Sequence, residues 1–516
     1  MQVYILLSAG KIYIGDNMEN NPYINLADVR EKSFGQVVNT AAENAAIVKN
    51  AFGNAFDIVV RLCECGGKAF AFAFCDGLCD SKTVTDGVIF PLLSFGGTYP
   101  CENTLDFIIK KVLLSSDIRT ERSLDIALQL LLRGNFLIFC DGESECAVVG
   151  VQNIPGRSVE EPDTEVQEQG SREGFTENVK VNLSLVRKRL PSVSFQYTAL
   201  EIGKTGKTRV LVCFLVGKAQ GSVVSEVVSR LKNAEFDLLP GSSYLRKTLD
   251  TKSRTMFTAA GSTERPDTFC AKLNEGKVGV LVDGTPFALV VPQLFIENFQ
   301  SLDDYLNRPY YAFFMRLLRL ASFIISVFLP GAFVAVCLHH QELLPDEMLY
   351  SIVMTESNTL FPLTWEALII HFIYELVREA GLRMPKSVGH AVSIVGALVI
   401  GDAAVSAGLI GTPMLIIVAL TAITSLVTSE LYQPASVLRF LFIIIGGASG
   451  FYGIMTGAAV MIISLASVTD YGVAFLSPLT PFDRSLFRDT VTRAGSSTLG
   501  RQLFNINKLH FTEGRQ

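Results

Sequence analysis

The chain has 516 residues, 49% of them hydrophobic and only 18% charged, with a mean hydropathy of +0.36. An ordinary soluble chain is about a quarter charged, so this composition excludes wholesale disorder and collagen-like repeats and leaves room for two to four domains. With 44 Lys+Arg against 50 Asp+Glu the net charge is -6, which excludes a strongly basic nucleic-acid binder.

The charge is spread unevenly. Residues 1–319 hold 34 Lys+Arg and 37 Asp+Glu, whereas residues 320–516 hold 10 and 13. No Lys or Arg lies between Arg319 and Arg378, between Lys386 and Arg439, or between Arg439 and Arg484. The expected fold is therefore an α/β soluble N-terminal portion, two α/β subdomains joined by a helix, followed by an α-helical polytopic membrane domain. The expected boundaries are an N-terminal extension at 1–39, a first subdomain at 40–174, a connecting helix at 175–190, a second subdomain at 191–305, the transmembrane helices at 306–470 and a basic cytoplasmic tail at 471–516.

The first ten residues have an apolar run without a basic start, so they do not read as a signal peptide; Met18 opens a more polar stretch and is an alternative start. Val37–Phe52 reads as a helix, and Ala55–Leu62 and Lys68–Phe74 as strands. Ser123–Arg133 reads as a helix, and Asn135–Cys140 with Ala147–Val151 as a hairpin around Asp141-Gly142. Pro155–Gly174 is an acidic loop or hinge. Phe175–Leu190 is a charged helix that stops before Pro191. Phe195–Glu201 and Thr208–Val216 read as strands, Gln220–Asn233 and Asp267–Asn274 as helices, and Val278–Val282 and Phe287–Val291 as strands.

Nine of the ten cysteines lie in this soluble portion and read as free cytoplasmic thiols. Cys63, Cys65, Cys75 and Cys79 invite a zinc reading, but their spacing misses the usual C-x2-C pairs; no metal or cofactor is expected. Gly206-Lys207-Thr208 resembles the end of a P-loop, yet Glu201 stands where the first Gly is needed and a strand follows where a helix should. No nucleophile–base pair stands out, and the chain does not read as an enzyme.

Leu317–Leu338 is the clearest span, flanked by Arg316 and Arg319 at a cytoplasmic start. His339–Pro362 carries acids but no Lys or Arg, as a loop on the far side would. Leu363–Ala380 is apolar on most faces yet carries Glu366, His371, Glu375, Arg378 and Glu379. His371, Glu375, Arg378 and Glu379 share a stripe within about 100°, with Glu366 opposite. That stripe reads either as a pore or gating face or as the polar side of an interfacial helix. Val388–Ile410 crosses with Gly389, Gly396, Gly401 and Gly408, small residues that favour close helix packing, and with Asp402 as an ionisable group inside the span. Pro413–Ser429 crosses back. Val437–Ser467 is too long for one span and is interrupted by Gly446, Gly447, Gly450 and Gly453, so a broken helix or tight hairpin is expected. A cytoplasmic basic tail requires an even number of crossings: six if Leu363–Ala380 spans and the last run doubles back, four if neither does. Six keeps Arg378–Lys386 on the cytoplasmic side.

Long motifs follow one another in order: Phe56-Asp57-Ile58-Val59, Gly170-Ser171-Arg172-Glu173-Gly174-Phe175-Thr176-Glu177-Asn178, Thr263-Glu264-Arg265-Pro266-Asp267, Val282-Asp283-Gly284-Thr285-Pro286, and Arg378-Glu379-Ala380-Gly381-Leu382-Arg383-Met384-Pro385. Through these motifs the chain resembles, from about residue 40 to 490, the GerA family, the A subunits of spore germination nutrient receptors. Ser171 departs from the family's usual Pro. The resemblance implies a protein of the inner membrane of the bacterial endospore that acts with a transporter-like B subunit and a lipoprotein C subunit. It also implies assembly in the lipid bilayer as a homo-oligomer, a pentamer, opening as a ligand-gated ion channel. In that reading Arg172, Glu173, Glu177, Glu264, Arg265 and Asp267 couple the two subdomains, although acids at a helix start and local ion pairs would look the same. Two other functions remain open: an accessory family member that amplifies ion release after a receptor has fired, and a secondary transporter with a regulatory domain.

Overall fold

The computed structural model describes residues 4–8, 11–15, 33–384, 399 and 401–480, apart from 54, 101–102, 116, 154–161, 163–164, 166, 168–169 and 251–254. Strands β1 (Tyr4–Ser8) and β2 (Lys11–Gly15) form an antiparallel hairpin. The first subdomain follows, with α1 (Ala41–Ala51), β3 (Ile58–Cys65), β4 (Lys68–Cys75), α2 (Thr104–Lys111), β5 (Ile118–Glu121), α3 (Leu124–Leu131), β6 (Asn135–Cys140) and β7 (Cys146–Gly150). Its five strands are antiparallel in the order β3-β4-β6-β7-β5.

The period-2 alternation of β4 explains how this sheet is covered on both sides. Ala71, Ala73 and Cys75 face α1 and α3, while Phe70 and Phe72 face α2 and the helical run 81–94. Strand β6 is buried along its whole length and so shows a continuous apolar run in place of alternation.

The second subdomain repeats the plan. Helix α4 (Val179–Arg189) leads into β8 (Phe195–Ile202), β9 (Thr208–Leu215), α5 (Gly221–Lys232), α6 (Ser242–Leu249), β10 (Gly261–Thr263), α7 (Pro266–Asn274), β11 (Val278–Val282) and β12 (Ala288–Val291). The sheet is antiparallel in the order β10-β12-β11-β9-β8. Val210 and Val212 pack against α5 and α6; Leu211 and Cys213 pack against α4 and α7. The connecting helix is thus part of the second core. Strands β5 and β10, of four and three residues, are among the elements that the sequence reading did not name, together with the β1–β2 hairpin and helices α2 and α6.

The helical portion begins with α8 (Pro309–His339), about 45 Å long at 1.5 Å per residue. It continues with α9 (Asp346–Glu356), α10 (Leu363–Arg383), α11 (Thr412–Val427) and α12 (Tyr432–Ser467), and ends in the small pair β13 (Thr469–Asp470) and β14 (Val473–Ala474). Helix α8 and the run Ser429–Ser467 are long and apolar enough to cross a membrane; α11 is apolar but shorter. Their outer faces expose Leu317, Ile324, Ile416, Ile423, Leu441 and Ile463, a surface that requires lipid or protein cover.

Helix α12 doubles back. Gly450 has φ 60° and ψ -151°, a conformation open to Gly alone. A Cβ on Gly457 would lie 2.9 Å from Phe442, and one on Gly453 2.8 Å from the Ile445 side chain. In a straight helix residues 442 and 457 would stand about 22 Å apart. The two arms are each about 27 Å long, close to the thickness of a hydrocarbon core. The hairpin expected for Val437–Ser467 is therefore present, with its tip against the end of α8, where His339 Nε2 lies 2.9 Å from the Gly447 carbonyl. Lower down, Gly331 on α8 and Gly446 on α12 bring the two backbones into direct contact, which any Cβ would prevent.

Candidate functional site

Helix α12 carries a cation into the centre of this bundle. Arg439 is fully buried. Its Nε donates to the Ser326 carbonyl on α8 at 2.8 Å, and one terminal nitrogen donates to the Ser425 hydroxyl on α11. Its other terminal nitrogen, Nη1, lies 3.7 Å from Glu375 Oε1 and makes no hydrogen bond. Glu375, on α10, is satisfied from α12 itself: Tyr432 donates to Oε2 at 2.5 Å and Ser436 to Oε1 at 2.6 Å. Arg378 lies over the Tyr432 ring, 3.2 Å from its centre. Four helices thus meet on one cluster of two cations, one carboxylate and several hydroxyls. In apolar surroundings such groups are retained only where they face protein, water or one another, and a cation left one hydrogen bond short can change partners at low cost.

The other sequence-derived candidates on α10 separate by depth. His371 is fully buried, with Nδ1 against the Ala367 carbonyl at 2.8 Å and Nε2 3.5 Å from the Thr421 hydroxyl on α11. Glu379 faces outward and pairs with Arg383 one turn on. Glu366 is fully buried at the other end of the helix, where its Oε1 accepts the Gly411 N–H at 2.7 Å. Asp402 is exposed on the stretch 401–406. Gly401 meets only ordinary contacts from Leu415, and Gly408 turns the chain with φ +63°; Gly389 and Gly396 lie outside the described residues.

The helical portion is tied to the soluble portion at both ends. At the start of α8, Arg316 and Arg319 both pair with buried Asp304, at 3.0 and 2.9 Å. Beyond α12, Asp470 receives Arg230 of α5 at 2.7 Å, Tyr471 stacks under that guanidinium at 4.2 Å, and its hydroxyl donates to the Leu249 carbonyl of α6. Burial works against the Arg230 charge, but Asp470 holds its pKa above the ordinary value. A further buried knot joins Lys272 and Lys277 to Glu297. Burial lowers the Lys277 pKa to about 8, despite the attraction of Glu297.

The residues expected to couple the subdomains make two groups of contacts. Burial opposes the Glu173 charge, yet Lys188 and Arg189 hold its carboxyl below the usual range, at 2.6 and 2.7 Å. Arg265 pairs with Asp267 at 2.7 Å and clasps the hinge through the Glu165 and Ser171 carbonyls and the Gln167 side chain. Glu264 and Glu177 act through their backbones, accepting Phe175 N–H and Gly284 N–H. Arg172 is engaged within the fold.

The deepest link was missed in the sequence. Arg187 of α4 donates from Nε and Nη2 to Asp57, at 2.8 and 3.3 Å, and from Nη1 to the Phe195 carbonyl. Tyr197 of β8 donates to the same carboxylate at 2.8 Å. One ion pair thus joins the first subdomain, the connecting helix and the second sheet. Asp57 sits inside one of the quoted family motifs, but in the sequence both residues look like ordinary surface charges. Arg439 had a clearer signal, as the sole Lys or Arg between Lys386 and Arg484. Among the described residues, no three ligating His, Cys, Asp or Glu side chains converge on a metal position. Cys75 lies on the opposite face of its sheet from Cys63, Cys65 and Cys79, and burial pushes the Cys79 thiol up to about 12.

The profile of the family described as Bacillus/Clostridium GerA spore germination protein matches residues 46–502. Spore germination protein KA of Bacillus subtilis (strain 168) is 36% identical over 460 residues, 88% of this chain and 84% of that protein. Spore germination protein GerLA of Bacillus cereus is 30% identical over 438 residues, 84% of this chain and 89% of that one. Among solved structures, the N-terminal domain of the A subunit of the Bacillus megaterium spore germinant receptor GerK3 is 26% identical and aligns with 51% of this chain and 99% of that one, at a TM-score of 0.40. On sequence similarity of this extent, this chain belongs to the GerA family of spore germination proteins.

Proposed function

We propose that this chain is the membrane subunit of a nutrient germinant receptor and that copies of it assemble into a ligand-gated ion channel. It works with a transporter-like B subunit and a lipoprotein C subunit in the inner membrane of the endospore, with its soluble portion on the spore-core side. The observation that carries the reading is the buried Arg439–Glu375–Tyr432 cluster. It sits on helices whose ends are bolted to the soluble subdomains through Asp304 and Asp470, so a movement of those subdomains reaches the cluster through rigid elements.

In this reading the chain crosses six times, through α8, α10, the 388–410 span expected from the sequence, α11 and the two arms of α12, with both ends on the soluble side. A conducting path needs polar or small side chains and a constriction. Asp402 and Glu379 are exposed, and in this reading they face a path between copies. Buried His371 and Glu375, with Arg378, act as the gating group within one copy, and Glu366 closes the far end.

The test is ion release from spores carrying Glu375→Ala or Asp402→Ala at normal protein level, together with bilayer recordings from the purified receptor. Altered release and a gated current support the reading. Wild-type release kinetics in both variants and a silent, monomeric protein overturn it.

A further inference from the structure

We infer that Glu356 and Glu366 form a binding site for a hard divalent cation of the calcium type, at the end of the bundle remote from the soluble subdomains. Glu356 ends α9, Glu366 opens α10, and both reach the N-terminus of α11 at Gly411. A Cβ on Gly411 would lie 2.8 Å from Glu356 Oε1 and 3.5 Å from Glu366 Oε1. The two carboxylates therefore face one small space that only a glycine leaves open. Glu366 has no exposed surface. Its Oε1 takes the Gly411 N–H, but its Oε2 is buried without a hydrogen-bond partner, and so is Oε1 of Glu356.

The two carboxyls lie within hydrogen-bonding reach of each other, so either a shared proton or a cation between them must offset their burial. Among the described residues no Lys or Arg supplies that cation, and none occurs in the sequence between Arg319 and Arg378. An open pocket of about 550 Å³ lies beside the N-terminus of α11, lined by Ser351, Thr355, Thr359 and Thr412 and also by Tyr350, Met354 and Val405; neither carboxylate lines it. Two carboxylates carry a charge of minus two, which a divalent ion neutralises and a monovalent ion does not. With few protein ligands and water completing the shell, the affinity expected is that of exposed extracellular calcium modules, about 10⁻⁴–10⁻³ M. Binding would join α9, α10 and α11 at one point. The site goes beyond the channel reading and does not depend on it.

The chain carries its own reporter: Trp365, its single tryptophan, is next to Glu366. The full-length protein in phosphatidylcholine nanodiscs is titrated with terbium ion, exciting at the red edge of the tryptophan band, and then with calcium and potassium as competitors. The expected result is saturable sensitised emission that millimolar calcium displaces and equal potassium does not. Glu356→Gln, on a half-buried and tolerant position, should weaken terbium binding at least tenfold, and Trp365→Phe should abolish the emission. Glu347→Gln, exposed on the same helix, should leave it unchanged. Emission retained in Glu356→Gln and in Glu366→Gln overturns the site. Displacement by potassium as readily as by calcium overturns its charge class. Absence of sensitised emission from the wild-type protein, whose elution from a sizing column is normal, shows that the carboxyls share a proton instead and also overturns it.

Discussion

The soluble portion buries Arg187 completely and the helical portion buries Arg439 completely, and the two are treated differently. Each nitrogen of the Arg187 guanidinium donates: two reach Asp57, one reaches a backbone carbonyl, and Tyr197 also donates to the carboxylate. Arg439 leaves Nη1 unbonded, 3.7 Å from Glu375, while Glu375 is satisfied by Tyr432 and Ser436 instead. A saturated buried pair holds a structure in one arrangement. In the proposed channel, an unsaturated one leaves a second arrangement open, in which Arg439 closes on Glu375 and releases Ser425 or the hydroxyls of α12. The first belongs in a joint that must not slip, the second in an element that must move.

The sharpest way to break this comparison is the same substitution at both places. Arg187→Met removes the partner of a fully buried Asp57 and should destabilise the soluble portion by about 3–5 kcal/mol. The protein should then be nearly absent from spore membranes by immunoblot. Arg439→Met leaves Glu375 with both of its hydroxyl donors. Protein level should stay within about twofold of wild type, while the rate of nutrient-triggered ion release changes at least tenfold, a shift of about 1.4 kcal/mol in the opening equilibrium or barrier. If both variants lose the protein to the same degree, the two arginines are alike and the distinction fails.

A smaller effect tests the connection between the regions. Arg230→Ala removes a guanidinium that Asp470 and Tyr471 share, leaving Asp470 buried and unpaired, at a cost of about 1–3 kcal/mol. That is too little to unfold the soluble portion. Hydrogen exchange should accelerate selectively in residues 469–475 and α5, and nutrient response should weaken with no change in α8. Exchange that rises evenly over the whole chain would mean that the contact is only one part of a general core.

How much of this was legible in the sequence depends on the kind of information involved. Elements with strong local periodicity were plain: β4 alternates Phe with Ala, and α3 and α8 carry continuous apolar faces. Gly450 marked the hairpin in α12 because glycines cluster there without any other reason. Strands β5 and β10 were not legible, being only four and three residues long and defined by partners distant in sequence, Cys146–Val149 and Ala288–Val290. The polar stripe on α10 was found, but its division was not. Glu379 and Glu375 are one turn apart, and only the position of Tyr432 and Ser436 on α12 sends one inward and leaves the other to Arg383. Asp57 and Arg187 are 130 residues apart, a separation at which local pattern says nothing about pairing.

The finest expected effect concerns the hinge between the subdomains. Glu165 accepts a hydrogen bond from Thr263 at 2.8 Å in the segment that Arg265 clasps. Burial is the main cause that raises its pKa from 4.5 to about 7, with Glu430 and Glu264 adding to the rise and Thr263 and Arg265 opposing it. The sign follows from the raised value. Between pH 4.5 and 7 the docked hinge binds a proton that the undocked one has released, so docking is favoured below that window and weakens as pH rises through it. Hydrogen exchange of residues 170–175, corrected for its intrinsic pH dependence, should therefore show protection at pH 5 that declines toward pH 8. Glu165→Gln should remove the decline while keeping an acceptor for Thr263. A hinge whose protection is flat in the wild type, or falls equally in Glu165→Gln, would place the pH response elsewhere and leave Arg265 as the hinge's whole attachment.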